Sequence, residues 1–569
     1  MTARADWIIL DACIWTGAPR DPVPGGGAPP LPDAMALRGG RVLAVGTRDD
    51  IMNLQGPETA LISAEGRFIL PGFVDAHTHL LAGGLQLFRV DLRGATSRQE
   101  FTQRVADRTR VTPRGEWILG GDWNQADWGG EFPSRQWLDE RTPDHPVFLQ
   151  RMDLHIGVAN TRALERAGID RNTPDPANGT IDRDPETGEP TGLLREAAMR
   201  PLLGVVPDVR PEDARAALRT ASYSALTRGI TQVHDMGAVH EPRESWISLD
   251  MLETLAMEGR LPIRVSAAVA MADWRRAAER VALRGRGGGR LHWGRVKAFV
   301  DGSFGSSTAW FHDPYTHLPH SRGTVVTDLD ELRQNTAEAV AAGLQPAIHA
   351  IGDRANDWLL DTYEAVIRAN PGRDLRLRAE HAQHISSGAA QRMGELGVVA
   401  SIQPAHILDD APFIRERLGE DREGRSYAFG DLDRAGVPLA MGSDWPVSGL
   451  DPLTAIWSAV TRRIPPDGTP ACVADEGEGG VWQSHQRLTL DRALRAHTLD
   501  AARAAFLDRE TGSLEPGKRA DFTVLSGDPF SLSPARLCEE VAVDATWVGG
   551  VRAWRREDPA QAPWAGVES

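Results

Sequence analysis

Residues 344–350 (LQPAIHA), 357–370 (DWLLDTYEAVIRAN) and 375–381 (LRLRAEH) decide the fold. The outer two are apolar runs of strand length, and the stretch between them spaces its apolar residues as an amphipathic helix does. Strand, helix and strand in succession form a unit whose two strands lie parallel. Outward from this unit the alternation continues. Strand-like runs recur at 67–76 (RFILPGFVDA), 229–235 (GITQVHD), 261–270 (LPIRVSAAVA), 294–301 (GRVKAFVD), 397–403 (GVVASIQ) and 437–444 (VPLAMGSD), with helix-like stretches such as 337–344 (AEAVAAGL) between. Eight such runs predict an α/β fold, a closed (β/α)8 TIM barrel over 70–505. The gap after the first run is far longer than the others. Residues 85–215 hold strand-like runs of their own, EWILGGDW (116–123) and HPVFLQRMD (145–153), and the hairpin-like NGTIDRDPETGEPTG (178–192). They are read as an insertion after barrel strand 1, on the face where the active sites of such barrels sit.

The two ends of the chain read as β structure. DWIILDACIW (6–15), DAMALRGGRVLAVG (33–46) and ALISAEGRFIL (60–70) at one end match RADFTVLSGDP (519–529) and VDATWVGGVRAW (543–554) at the other. Residues 1–69 and 506–569 are therefore expected to build one small β-sandwich domain together. Residues 17–33 (GAPRDPVPGGGAPPLPD) are too rich in Gly and Pro for a regular element.

Composition narrows the function. Of 569 residues, 41% are hydrophobic and 25% charged, as in a soluble globular protein. The net charge of −16 disfavours nucleic acid or an anionic membrane as partner. An acidic residue interrupts the N-terminal apolar run at Asp6 and again at Asp11, where a secretory leader would be apolar, so the expected location is the cytoplasm. Three cysteines (Cys13, Cys472, Cys538) make no disulfide framework and no zinc-binding Cys pair. Among 63 basic residues only Lys297 and Lys518 are lysine. Where Arg has replaced Lys almost everywhere, a surviving Lys marks a place where a guanidinium cannot serve, because only the amine can lose its proton and react. Lys518, in the turn-like EPGK, has chance survival as an equal reading.

The local chemical signal is PGFVDAHTHL (71–80), whose His77 and His79 are two apart and face one side of an extended strand. Two converging imidazoles make half a site for a divalent metal such as Zn2+. Lys297, His349, His381 and Asp444 stand at or just past the ends of other strand runs, which a barrel gathers into one ring. Singly, each has an ordinary reading: a snorkelling lysine, two core histidines, a helix cap. Together, at equivalent strand ends, they are read as a metal centre.

On these residues the chain resembles the amidohydrolase superfamily of metal-dependent hydrolases. The resemblance is carried by GFVDAHTH (72–79), VKAFVDGS (296–303), HAIGDRA (349–355), AEHAQ (379–383) and GSDWPV (442–447). The insertion motifs DWNQADW (122–128), RMDLHIGVAN (151–160) and PTGLLREAA (190–198) are similar to the branch that contains N-substituted formamide deformylases. The resemblance implies that His77, His79, His349, His381 and Asp444 bind one or two divalent ions, most simply zinc, and that Lys297 carries a carbamate bridging them. It further implies that metal-acidified water attacks an amide carbonyl while Asp444 moves the proton. His234, Asp235, Asp301 and Glu380 are candidates for orienting the ligands through hydrogen bonds. HAIGDRA lacks the H-x-x-E pattern of the deaminase branches, which favours amides over amidines.

Trp123 and Trp128 in the insertion, with Phe304, Trp310 and Phe311 after the fourth run, are candidate walls of an apolar pocket for an N-substituent; packing of the insertion onto the barrel is the competing reading. The expected activity is hydrolysis of a non-peptide C–N bond in a small, largely apolar N-substituted amide. An isomerase or ester hydrolase on the same centre is the alternative. A non-catalytic scaffold predicts eroded ligands, and none is missing. The expected partners are a small-molecule substrate and, on base rates, a second copy of the chain.

Overall fold

The computed structural model describes residues 4–18, 30–151, 156–177, 179–237, 242–464 and 480–557. Most of the Gly/Pro stretch 17–33, four residues of RMDLHIGVAN, Cys472 and the last twelve residues lie outside them. Contacts divide the chain into two compact units, Met1–Gly83 with Leu218–Ser569, and Gly84–Ala217.

In the first unit eight strands lie parallel in chain order: β1 (Phe73–Thr78), β2 (Ile230–Asp235), β3 (Arg264–Ala270), β4 (Leu291–Phe299), β5 (Gln345–Ala350), β6 (Arg378–His381), β7 (Val399–Ile402) and β8 (Leu439–Met441). Residues just past β8 return to β1. Asp444 N donates to His77 O at 2.7 Å and His79 N to Trp445 O at 2.8 Å. Gly442 permits this approach, since a Cβ there would sit 2.4 Å from the His77 nitrogen. The result is a nearly closed eight-stranded parallel barrel. Its strands are buried on both faces, which is why they read as almost continuous apolar runs. The helix Asp353–Ala369 shows how the barrel is covered: Ala355, Leu359, Tyr363 and Val366 recur at helical spacing on its buried side.

The run 67–76 is not one strand. Phe68–Pro71 pairs antiparallel with Phe522–Leu525 in a separate five-stranded sheet, and only Phe73 onward enters the barrel. The chain changes sheets at Gly72, whose nitrogen donates to Asp521 O while the Phe73 nitrogen donates to Gly229 O, both at 3.0 Å. That sheet and a four-stranded sheet of residues 7–63 draw on both ends of the chain. Ile9, Met35 and Leu37 of one share a buried cluster with Ile69, Phe522 and Trp547 of the other.

The second unit is built on a six-stranded mixed sheet. Successive residues alternate between its faces, so that Val147 and Leu149 enter one apolar cluster and Phe148 the other. No helix among the described residues is long and apolar enough to cross a membrane.

A side chain at Gly72 would meet the Thr231 side chain at 2.2 Å. Thr231 is buried and stiff at χ1. Gly72→Ala is therefore expected to destabilise the protein by about 1–3 kcal/mol, the usual range for overpacking. Urea unfolding of the variant against wild type measures it.

Candidate metal centre

The barrel delivers its polar residues at the C-terminal ends of the strands. His77 is in β1 and His79 follows it, with ring centroids 5.6 Å apart. The His381 ring at the end of β6 lies 5.0 Å from that of His77 and 4.5 Å from that of His349 in β5. His381 (φ 76°) and Asp444 (φ 59°) both hold the left-handed backbone conformation that non-glycine residues seldom adopt.

The partners of the imidazoles fix their tautomers. His77 Nδ1 donates to Glu380 Oε2 at 2.7 Å, and His79 Nδ1 to the Gly237 carbonyl at 2.6 Å. His381 Nδ1 donates to Gln403 Oε1 at 2.9 Å, and the Gln403 amide nitrogen, donating to Ser401 O at 3.2 Å, keeps that oxygen turned to the imidazole. Each ring is left with its lone pair on Nε2. His349 is reversed: Nε2 donates to Gly302 O at 3.0 Å and Nδ1 keeps the lone pair.

These lone pairs meet a carboxylate. His79 Nε2 lies 3.2 Å and His77 Nε2 3.4 Å from Asp444 Oδ1, and that buried oxygen accepts no well-aligned hydrogen bond. Lone pairs facing an anionic oxygen at that distance repel unless a cation or a proton enters between them. Burial opposes a charge on His79, but Asp444 outweighs it and raises the imidazole above its ordinary pKa. His77 goes the other way, down to about 4, through burial and then the Lys297 charge. Asp444 stays well below the usual carboxylate range because the surrounding imidazoles outweigh the effect of its burial.

Lys297 is buried in β4, with Nζ 3.3 Å from His77 Nε2 and 5.0 Å from the centre of the Phe299 ring. No ion pair among the described residues includes it, and burial brings its amine down to about 8.

Behind the imidazoles lies a buried ion pair. Arg378 donates to Glu380 Oε1 at 2.7 Å and Oε2 at 3.0 Å, and both side chains are fully buried. The same guanidinium reaches His234 Nδ1 at 2.9 Å and the Ala76 carbonyl at 2.7 Å. His234 thus bears on His77 through Arg378 and Glu380. Asp235 accepts from the backbone of Leu80 at 2.9 Å and Gly237 at 3.2 Å, fixing the segment whose carbonyl orients His79. Asp301 holds backbone and also stands beside a candidate ligand, its Oδ1 3.6 Å from His349 Nε2. It accepts from Trp310, Ile351 and Gly352 at 2.7–3.0 Å and pins the loop after β4 to the start of the helix Asp353–Ala369. Burial raises its carboxyl to about 7 in spite of those bonds.

Of the aromatic candidates, Trp123 is fully buried within the second unit, its Nε1 donating to Leu149 O at 2.9 Å and its ring 6.4 Å from that of Trp128. Phe304 and Phe311 are buried against His384, at 4.8 and 5.4 Å. In this structure these three rings are buried against protein neighbours. Trp128 and Trp310 are half-buried, and the Arg354 guanidinium lies over the Trp310 ring at 4.5 Å.

Three participants escaped the sequence reading: Arg378, Gln403 and His406. His406 closes the short turn Pro404–His406 after β7. The signal was the QPAH (403–406) at the end of the seventh run, a strand end to which no residue had been given.

Two donor groups emerge, each with ligand atoms within 4.8 Å of one another: His77, His79 and Asp444, and His381, His406 and Asp444. Imidazole nitrogen and carboxylate oxygen suit zinc, iron or manganese. Asp444 Oδ1 and His406 Nε2 are buried with no hydrogen-bond partner. The residues present fit a divalent cation.

Comparison with known proteins agrees. Residues 60–553 match the model of the amidohydrolase family. The protein LONG AFTER FAR-RED 3 of Arabidopsis thaliana, whose name states no reaction, is 43% identical over 530 residues, 92% of this chain and 88% of its own. The N-substituted formamide deformylase of Arthrobacter pascens is 29% identical over 572 residues, 98% of this chain and 99% of its own. The crystal structure of an uncharacterized metal-dependent hydrolase from Pyrococcus horikoshii OT3 superposes with a TM-score of 0.74 at 29% identity, covering 93% of this chain and 99% of that one. The chain belongs to the amidohydrolase family.

Proposed function

We propose that the chain is a metal-dependent hydrolase cleaving the non-peptide C–N bond of a small, largely apolar N-substituted amide. The observation that carries this reading is the approach of two imidazole lone pairs to the partnerless Asp444 Oδ1. Similarity to an N-substituted formamide deformylase, at 29% identity along 98% of the chain, supports the amide class.

His77, His79, His349, His381, Asp444 and Lys297 hold the cation or cations, with zinc the first choice. When bound, a divalent cation supplies Lewis acidity, polarising a carbonyl oxygen and acidifying water near neutral pH. The chain supplies the rest. Glu380 and Gly237 keep His77 and His79 in the tautomers that carry the lone pair on Nε2. Lys297, buried and in no ion pair among the described residues, reacts as a neutral amine with carbon dioxide. An N–C bond forms, a proton leaves Nζ, and the amine becomes an anionic carbamate that adds two donor oxygens. The Asp444 carboxylate accepts a proton from the water that adds to the amide carbon and returns it to the departing nitrogen. Residues 85–215 are read as a substrate-specific insertion, and the segments 1–69 and 506–569 as a supporting β-sandwich.

Lys297→Arg keeps the charge and cannot form the carbamate. The variant is expected to lose more than about 100-fold in kcat/KM for N-benzylformamide, beyond the effect of losing an outer partner of a ligand. Benzylamine release and metal content per chain measure it; full activity with full metal would end the reading. Glu380→Gln keeps the shape and removes the charge that faces Arg378 and His77. It is expected to weaken zinc binding roughly 10–100-fold and to destabilise the fold by about 3–5 kcal/mol through the buried guanidinium left without its counter-charge. Chelator competition and urea unfolding report the two effects separately.

A further inference from the structure

Asp444 has two oxygens, and they face different neighbours. Oδ1 looks toward His77 and His79, whereas Oδ2 looks toward His406, whose Nε2 lies 4.0 Å away. We propose that His406, with His381 and Asp444 Oδ2, forms a second cation position, so that Asp444 bridges two donor groups. The proposal rests on the metal-hydrolase reading above and adds to it a ligand from the turn after β7.

His406 Nε2 is buried and has no hydrogen-bond partner among the described residues. A buried imidazole nitrogen left unpaired sacrifices on the order of 1–3 kcal/mol, so its persistence beside a carboxylate points to an occupant. The gap to Asp444 Oδ2 is too long for a hydrogen bond and suits one ion between them, since zinc sits about 2.0–2.2 Å from both nitrogen and carboxylate ligands. Gln403 then positions both imidazoles of the group. Its side-chain oxygen takes the proton of His381 Nδ1, which leaves His381 Nε2 as donor, and its backbone carbonyl accepts from the His406 nitrogen at 3.2 Å. The rings of His381 and His406 are nearly parallel, 21° apart with centroids 6.4 Å from each other. The three ligand atoms come within 4.8 Å of one another. A carboxylate carries about four lone-pair sites, so an ion on Oδ2 leaves the carboxylate able to accept a proton.

The full-length protein is stripped with chelator and titrated with zinc alone by calorimetry, as wild type, His406→Ala and His79→Ala. Wild type is expected to bind two equivalents. His406→Ala is expected to keep one and to lose the other or bind it at least tenfold more weakly, while His79→Ala impairs the complementary one. Full retention of both equivalents by a folded His406→Ala variant would overturn the proposal. If that variant does not fold, anomalous diffraction at the zinc edge from wild-type crystals decides: a peak within ligand distance of His406 Nε2 supports the position, and zinc only at His77 and His79 overturns it. Wild type that binds no zinc would overturn the underlying metal-hydrolase reading as well, whereas failure to hydrolyse N-benzylformamide with both equivalents bound would leave this position standing and count against the amide substrate.

Discussion

The centre is organised by a repulsion. Hydrogen bonds behind His77, His79 and His381 force their lone pairs inward, onto a carboxylate that is itself ionised and nearly dry. The Lys297 amine, 3.3 Å from His77 Nε2, can donate to one of those lone pairs, and relief for the others calls for a positive charge. A proton on His79 is one solution, and a divalent ion is the stronger one because it satisfies several donors together.

The surrounding fold holds the donors against this repulsion. Arg378 is the main device: fully buried, it neutralises Glu380, reaches the carbonyl of Ala76 beside His77, and bonds to Ser401 in β7. Three barrel strands are thereby tied behind one imidazole. Asp75 does similar service at the seam between β1 and β8, its Oδ1 accepting from the backbone of His77 and Ser443 at 3.1 and 3.0 Å. Burial raises that carboxyl to about 7 even so. Buried charges of this kind are costly to keep, and here they lie within reach of the ligands rather than scattered through the core.

The barrel was legible in the sequence because strands buried on both faces leave nearly continuous apolar runs, and eight of them with helices between admit few topologies. The scarcity of lysine singled out Lys297 independently of any motif. The join at Gly72 was not legible, because an apolar run does not say to which sheet each residue belongs, and the close approach to Thr231 exists only in three dimensions. His406 went unseen for a related reason: it lies on a turn beyond its strand, outside the strand-end positions that a period-two pattern marks. Which way the aromatic rings face was not legible either, because an excess of Trp says nothing about orientation; Trp123 lies in an apolar cluster of the second unit.

The presence of an ion among these donors is tested most directly by X-ray absorption at the zinc edge on the purified protein. Nitrogen and oxygen scatterers at about 2.0–2.2 Å with the multiple-scattering signature of imidazole are the expected result. Protein that takes up no zinc, or zinc coordinated by sulfur or by water alone, would contradict the metal centre and the function built on it.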